Sequence, residues 1–390
     1  MRRINSCRFT THFENLEQVL HIVCFDPPWP ADNGYAIDVM NRIRAFHKLG
    51  VQVRLHYFCS NNAPEHPELN FFCKTINTYK KKPFNDSFLM RIPFFVASRI
   101  NKELIDNLNK DAYPVLLEGL HTTGILNEIT KEPRKICIRL HNNYAAYYRG
   151  LAGCTSDPRK KIYYLFESVQ AKKYTKTLPK KISYVCISEC DRELMQQMGF
   201  TNAVHVPAFG DWQKVNSPTG VGNLCLFHGN LADAENEKAA MWLLCNVFNK
   251  VRVPFIIAGK NPSRRLQKAA ALCQHTCLVS DPSTTELDDL IQKAHINILP
   301  FVNKNISGIR LKLLHALFLG RHCVVNPAMV SGTGLEAACH IGHNSGAIAG
   351  IVSELYTQPF VKEDIETRER ILHEKYNNER NILKFTNLLW

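Results

Sequence analysis

Apolar runs of strand length recur along the first half of the chain and alternate with helical patterns. The runs cover residues 19–25, 51–58, 115–117, 136–140 and 182–187. After the first run, apolar side chains recur at the spacing that lines one helix face: Ala36, Ile37, Met40, Ile43 and Phe46. Strands that alternate with helices are typical of a parallel sheet covered on both faces. This half therefore predicts a Rossmann-like α/β domain.

The same alternation starts again in the second half. Strand-like runs cover residues 224–227, 254–258, 276–279, 296–299 and 323–326, and helical patterns cover 235–249, 262–273, 285–293 and 311–319. Residues 207–223 contain three glycines and predict the linker between two domains. We predict domains at 1–210 and 211–365, followed by a helical segment at 366–390 that crosses back to the first domain.

Two such domains place a ligand crevice at the carboxyl ends of their strands. One segment there combines a glycine with two cations, because Gly308, Arg310 and Lys312 follow a strand and open a helix. Backbone amides at a helix start favour phosphate, and the two cations suit a diphosphate. The alternative is that Arg310 and Lys312 form the polar face of an amphipathic helix.

Other strand ends add candidates to the same crevice. Gly229, next to Asn230, follows the first strand of the second domain, and a glycine there lets a backbone N–H reach a ligand. In the first domain, a loop containing Asp32 and Asn33 ends at Gly34, where a helix starts. A plain strand-to-helix turn would explain Gly34 equally well.

Two histidines also follow strands of the first domain. His121 comes after the strand at 115–118, and His141, with Asn142, ends the next strand. A histidine at this edge faces the crevice and favours a role in the site, although a lone histidine is often only structural. We take four residues as acceptor-side candidates: Asp32, Asn33, His141 and Asn142.

Several of these segments resemble glycosyltransferase family 4, the retaining GT-B enzymes, over nearly the whole chain. The resemblance is carried by Phe25-Asp-Pro-Pro-Trp-Pro-Ala-Asp-Asn-Gly, by Phe227-His-Gly-Asn-Leu, and by residues 281–300, 308–320 and 326–336. It implies two Rossmann-like domains that face each other across a cleft. It also implies hexosyl transfer, with retention, from a nucleoside-diphosphate sugar to a glycan or lipid-linked acceptor in cell-surface polysaccharide synthesis.

The resemblance assigns roles to residues as well. Asn230, Ile309 and their neighbours would bind the donor, and His121 would contact the donor sugar near the reacting carbon. Arg310 and Lys312 would stabilise the leaving diphosphate in place of a divalent ion. We therefore expect no metal and no cofactor other than the donor substrate.

One departure from the family concerns its pair of glutamates at the spacing Glu-x7-Glu. Those two positions read Ser307 and His315 here. A histidine can still hydrogen-bond a ribose hydroxyl, but it does not offer carboxylate geometry. Two other functions therefore stay open, a non-catalytic nucleotide-sugar-binding protein and a GT-B sugar-nucleotide epimerase.

The distribution of charge along the chain bears on which partners the protein contacts. The formal net charge is +13, and most of the excess lies in the first half. The basic residues at 159–161, 172–176 and 180–181 are interleaved with apolar and aromatic ones, which suits contact with an anionic membrane. A solvated helix face whose aromatic residues form core would explain them too. No nucleic-acid-binding module is visible.

The 14 cysteines contain no Cys-x-x-Cys pair, and six of them lie inside apolar runs. We therefore expect reduced thiols and a cytoplasmic location. Contact with the inner face of the membrane is left open. Cys273 and Cys277 are expected to pack in the core rather than to bind zinc.

Overall fold

The computed structural model describes residues 18–59, 66–83, 92–130, 133–155, 157–302 and 308–390. The described part contains two parallel sheets, one in each half of the chain.

The first sheet has seven strands in the order β3-β2-β1-β4-β5-β6-β7. Its strands are β1 Val19–Cys24, β2 Gln52–Cys59, β3 Cys73–Lys80, β4 Val115–Glu118, β5 Ile136–Leu140, β6 Ser183–Cys186 and β7 Ala203–His205. The helices of this half are α1 Gly34–Lys48, α2 Pro67–Phe72, α3 Phe94–Ala97, α4 Lys102–Leu108, α5 Leu126–Ile129, α6 Tyr144–Cys154, α7 Pro158–Thr177 and α8 Glu189–Gln197, with a 3₁₀ segment at Leu120–Ile125.

The second sheet has six strands in the order β10-β9-β8-β11-β12-β13. Its strands are β8 Cys225–His228, β9 Phe255–Gly259, β10 Thr276–Ser280, β11 Ile296–Leu299, β12 His322–Val325 and β13 His340–Ile341. The helices are α9 Ala234–Asn246, α10 Arg264–Ala271, α11 Thr284–Lys293, α12 Leu311–Leu319, α13 Pro327–Val330, α14 Ser345–Leu355, α15 Lys362–Lys375 and α16 Asn378–Leu389, with a 3₁₀ turn at Glu336–Ala338.

These two parallel sheets confirm the predicted α/β fold. Each predicted strand run corresponds to an observed strand, with ends that differ by at most one residue. Three strands were not predicted, namely β3, β7 and β13. All three lie at a sheet edge. An edge strand has only one neighbour and can carry polar residues, so it lacks the continuous apolar run of a buried parallel strand.

The last predicted helical segment consists of two helices, α15 and α16, separated at Tyr376 and Asn377. Phe385 of α16 packs edge-on against Phe46 of α1, with ring centroids 6.2 Å apart. The chain therefore ends on the first domain. The predicted boundaries at 210/211 and 365/366 stay predictions. Residues 206–224, where we expected the linker, contain no helix or strand.

The six cysteines in apolar runs are buried, as expected of a small hydrophobic residue: Cys24, Cys59, Cys137, Cys186, Cys225 and Cys323. The expectation of core packing is wrong for Cys277, which is exposed, and Cys273 is only partly buried. Among the described residues, no three His, Cys, Asp or Glu side chains are grouped closely enough to hold a metal ion. No helix of this part of the chain has the length and apolar character needed to span a bilayer.

Candidate active site

The amino termini of two helices meet where the two sheets face each other. Gly34 begins α1 and Leu311 begins α12, and a Cβ placed on Gly34 would lie 3.7 Å from the Leu311 side chain. The first-turn N–H groups of a helix lack intrahelical partners and carry partial positive charge. The crevice between the sheets is therefore suited to an anion.

Gly308 makes the close approach between the two domains. Its φ is +68°, and a Cβ on it would come within 2.5 Å of the His141 carbonyl oxygen and overlap the Asn142 side chain. Its N–H donates to Asp191 Oδ2 at 3.0 Å. The glycine is therefore needed, but its own amide is committed to the domain contact. Asp191 was not identified from the sequence. Ser307 lies outside the described residues.

Arg310 and Lys312 extend from the start of α12 towards the start of α9. Lys312 Nζ donates to Asn236 Oδ1 at 2.7 Å, and the Arg310 guanidinium lies 4.3 Å above the Phe301 ring. A distance of 3.6 Å separates Arg310 Nη2 from Glu235 Oε2. Both cations are partly buried, so they do not form a solvated polar face.

The environment of Lys312 changes its acidity. Burial, together with the neighbouring charge of Arg310, lowers the pKa of Lys312 to about 7. An anion bound between the two cations would favour the charged ammonium and raise this pKa again. The site is therefore short of negative charge.

The loop that contains Gly229 supports Lys312 indirectly. The Gly229 N–H donates to the Ala258 carbonyl at 3.1 Å. The expectation that this amide reaches a ligand is therefore wrong. The Asn230 carbonyl instead accepts a hydrogen bond of 2.9 Å from Asn236 Nδ2, which orients the amide that holds Lys312. Asn236 was not identified from the sequence. Ile309 packs against the core of the second domain.

His315 has a carboxylate partner. Its Nε2 lies 2.6 Å from Asp288 Oδ1, and its ring stacks on Trp212 with centroids 4.7 Å apart. Asp288, from α11, thus brings a carboxylate close to the position where the family has a glutamate on α12. The sequence contained Asp288 in the matching segment, but nothing in its spacing connected it to His315.

His121 lies on the other side of the crevice, stacked on Phe25 with ring centroids 4.1 Å apart. Burial and the nearby charge of Arg99 lower the pKa of His121 well below its ordinary value, so the imidazole is neutral. Two buried polar atoms here, His121 Nδ1 and Tyr144 Oη, have no hydrogen-bond partner among the described residues. Unsatisfied buried groups of this kind are rare and indicate a place where a ligand can bind.

A closed network of charges lies beneath His141. Glu118 Oε2 lies 2.7 Å from His141 Nε2, and Arg42 donates to Glu118 at 2.5 Å and to Asp38 at 2.8 Å. Arg139 lies 3.3 Å from the other oxygen of Asp38. Although burial alone would raise it, Arg139 and Arg42 hold the pKa of Asp38 well below its usual range. His141 is thus buried and held by its own domain.

The other acceptor-side candidates have identifiable partners. Asp32 forms an ion pair of 3.1 Å with Lys260 of the second domain, and the Asn33 side chain caps α1 by accepting from the Ala36 N–H at 3.1 Å. Asn142 borders an apolar cavity of about 330 Å³ between α6, α7 and α8. Asn33 therefore has a structural function, whereas Asn142 lies next to open space.

The second domain and the fold both match known proteins. Residues 222–358 match the sequence model of the family described as Glycosyl transferases group 1. An uncharacterized 44.6 kDa protein in the cps region of Klebsiella pneumoniae is 28% identical over 316 residues, which are 76% of this chain and 79% of that protein.

Solved structures resemble the chain over its full length at low sequence identity. The sucrose-phosphate synthase of Thermosynechococcus elongatus superposes with a TM-score of 0.69 at 14% identity, covering 95% of this chain and 98% of that one. A TarM variant from S. aureus, in complex with fondaparinux, alpha-GlcNAc-glycerol and UDP, gives 0.63 at 12%, covering 96% and 100%. Anabaena Alr3699/HepE, in complex with UDP and glucose, gives 0.62 at 9%, covering 96% and 99%. Residues 222–358 are therefore similar to group 1 glycosyltransferases, and the chain has the two-domain GT-B fold.

Proposed function

We propose that this protein is a retaining, metal-independent glycosyltransferase that uses a nucleoside-diphosphate sugar. The observation that carries the proposal is the pair of partly buried cations, Arg310 and Lys312, at the start of α12. Two cations and the adjacent helix amides match the charge of a diphosphate. The TarM variant and Alr3699/HepE, which share the fold, were both solved with UDP.

The chemistry follows from where charge develops during transfer. As the bond to the sugar breaks, the diphosphate gains negative charge and the sugar gains oxocarbenium character. Cations already in position stabilise that diphosphate without reorganisation. Neutral His121 lies on the opposite wall, where its imidazole would hydrogen-bond the sugar. The acceptor hydroxyl would attack from the side that the leaving diphosphate occupied, which retains the configuration.

In this proposal the acceptor binds to the first domain. His141, oriented by Glu118, and Asn142, which borders the apolar cavity, lie beside Gly308 at the domain contact. We propose a glycan or lipid-linked acceptor in the synthesis of a cell-surface polysaccharide. The relative from the cps region of Klebsiella pneumoniae supports that setting.

A thermal-shift screen with nucleoside-diphosphate sugars tests donor binding first. A ligand at a hundred times its Kd stabilises the folded state by about 2.7 kcal/mol, which is a readily measured rise in Tm. Donors that raise Tm then enter a turnover assay with and without EDTA, and NMR of the product reports the anomeric configuration.

Each outcome has a defined meaning. Turnover that survives EDTA, that Arg310→Ala reduces by about 10²–10³ and that yields a retained anomer supports the proposal. Binding without turnover would instead identify a nucleotide-sugar-binding protein. Interconversion of the donor in the absence of any acceptor would identify an epimerase. If no donor raises Tm, the donor site itself is refuted.

A further inference from the structure

The outer surface of α7 presents large apolar side chains to water. Ile162 is 71% exposed, Val169 50%, Phe166 49% and Leu165 44%. Their spacing of three and four residues puts all four on one helix face. A helix on the surface of a soluble domain normally turns such a stripe towards the core.

The inner face of α7 explains why the stripe points outwards. The buried Glu167 accepts a hydrogen bond of 3.1 Å from the Phe94 N–H, and Ser168 Oγ donates to the Ala145 carbonyl at 2.7 Å. Ala171, one turn further on, is fully buried. Rotating the helix to bury the apolar stripe would break these bonds and leave the Glu167 carboxylate without its donors. The outward orientation is therefore specified by the packing of α7 on α3 and α6.

Cations extend the apolar stripe at both ends. Lys172, Lys173 and Lys176 are exposed and continue the same face after Val169, and Arg159 lies on that face one turn before Ile162. Glu167 is the only acidic residue of the helix, and it lies on the inner face. The outer face thus combines a compact apolar centre with positive charge alone.

We propose that this outer face of α7 is a docking surface for an anionic lipid bilayer. The helix would lie in the plane of the membrane, with the four apolar side chains between the headgroups and the lysines against lipid phosphates. Lysine suits this position because its stem covers apolar surface while its ammonium reaches the headgroups. A protein partner fits less well, since lysine is depleted in the cores of protein interfaces.

The apolar residues of α7 form a patch rather than scattered exposures. Thirteen large apolar side chains are exposed in the part of the chain that the structure describes, and four of them belong to this one helix. Isolated exposures, such as Leu272 after α10, are normal on soluble proteins, whereas a contiguous patch with a polar rim marks an interaction surface.

The docking face adjoins the apolar cavity beside Asn142. Lys172 and Lys176 line that cavity together with Leu194 and Met195. If the proposed function holds, docking would bring a lipid-carried acceptor next to the acceptor side of the crevice. The docking surface itself does not depend on that function, and its test requires neither donor nor acceptor.

Vesicle flotation tests the proposal with the full chain. Vesicles of phosphatidylcholine alone are compared with vesicles that also contain phosphatidylglycerol. We expect binding to the anionic vesicles, weakened by salt, and little binding to the neutral ones. The lysine variant carries Lys172→Gln, Lys173→Gln and Lys176→Gln. Each lysine near an anionic surface contributes about a fivefold factor, so the variant should bind roughly a hundredfold more weakly.

The apolar variant combines Ile162→Ser and Phe166→Ser. Its affinity for anionic vesicles should be at most about a tenth of that of the wild type, even at low salt. The matched control carries Arg264→Gln, Arg265→Gln and Lys268→Gln on α10, with Leu272→Ser. It removes three exposed cations, as many as the lysine variant does, and an 85% exposed leucine from the second domain. Its binding to anionic vesicles should equal that of the wild type. Fluorescence of a Phe166→Trp variant should shift to the blue on anionic vesicles, whereas that of Leu272→Trp should not.

Three results would overturn the proposal. The first is a folded wild type that does not float with anionic vesicles. The second is a set of α7 variants that float as well as the wild type does. The third is a dimer, seen by light scattering without lipid, that the apolar variant loses while no vesicle binding occurs; the face is then an interface between two copies of the chain. None of these results bears on sugar transfer, so the two proposals fail separately.

Discussion

Two groups of charged residues lie at the carboxyl ends of the two sheets, and they differ in the partners that their cations contact. In the first domain, Arg42 contacts both Asp38 and Glu118 at hydrogen-bond distance, and Glu118 also contacts His141. In the second, Arg310 lies 3.6 Å from Glu235, and Lys312 Nζ donates to the neutral Asn236 side chain at 2.7 Å.

This difference distinguishes charges that stabilise a domain from charges that can bind a ligand. A buried cation such as Arg42, whose hydrogen bonds go to two carboxylates of its own domain, contributes to the stability of that domain. A cation such as Lys312, whose hydrogen bond goes to a neutral amide, keeps charge that attracts a ligand anion. The chemistry of a cation's partner is therefore a stronger signal of function than the presence of the cation in a crevice.

The largest effect is expected from removing Arg42. Arg42→Met leaves the buried Glu118 without its guanidinium partner and Asp38 with Arg139 as its remaining guanidinium partner, so the free energy of unfolding should fall by about 3–5 kcal/mol. Urea denaturation measures this change. Lys48→Met on the same helix, which removes the exposed ion pair with Glu379, is the control and should leave the midpoint almost unchanged. Equal effects of the two variants would contradict the assigned role of the network.

Removing Arg310 should affect turnover instead. Arg310→Ala should reduce kcat/KM by about 10²–10³, because one preformed contact to the developing charge is lost. Its free energy of unfolding should change much less than that of Arg42→Met. Steady-state kinetics and urea denaturation of the same preparation check both statements. A large loss of stability with normal turnover per folded molecule would place Arg310 in the structural class.

The pH dependence of nucleotide binding reports on Lys312. Because its pKa is lowered to about 7 in the unliganded protein and a bound diphosphate raises it, binding above pH 7 takes up a proton. The affinity for UDP should therefore be highest below pH 7 and fall by up to about tenfold per pH unit above it. Calorimetry in buffers of different ionisation enthalpy measures the proton uptake. Lys312→Arg stays charged and should give a flat profile, and a flat profile in the wild type would refute this assignment.

The smallest effect is expected at His315. His315→Ala removes one polar contact and should weaken nucleotide binding by about tenfold. His315→Glu restores the family's residue, but Asp288 already occupies the adjacent position, so the two carboxylates would repel each other and binding should be weaker still. Calorimetric titration with UDP compares the variants. Tighter binding by His315→Glu than by the wild type would show that the His315–Asp288 pair does not replace the glutamate.

The central strands could be predicted from the sequence because a parallel strand covered on both faces needs a continuous apolar run. β1 and β5, for example, are buried at every position and were found with at most one residue of error. The edge strand β3 reads Cys-Lys-Thr-Ile-Asn-Thr-Tyr-Lys, and most of its polar residues are exposed. Its pairing with β2 is a contact between segments that no local pattern records.

The candidate site also has parts that the sequence predicts and parts that it does not. The sequence by itself determined the alternating fold and the cations at 310 and 312, since both depend on residue type at short spacing. Only the tertiary structure decided which polar groups those cations meet, because Glu235 and Asn236 come from another helix. It also placed Asp288 against His315. It also decided the rotation of α7, where the hydrogen bonds of Glu167 and Ser168 turn the apolar stripe towards solvent. Local spacing defines a helix face, but only the packing around the helix defines what that face meets.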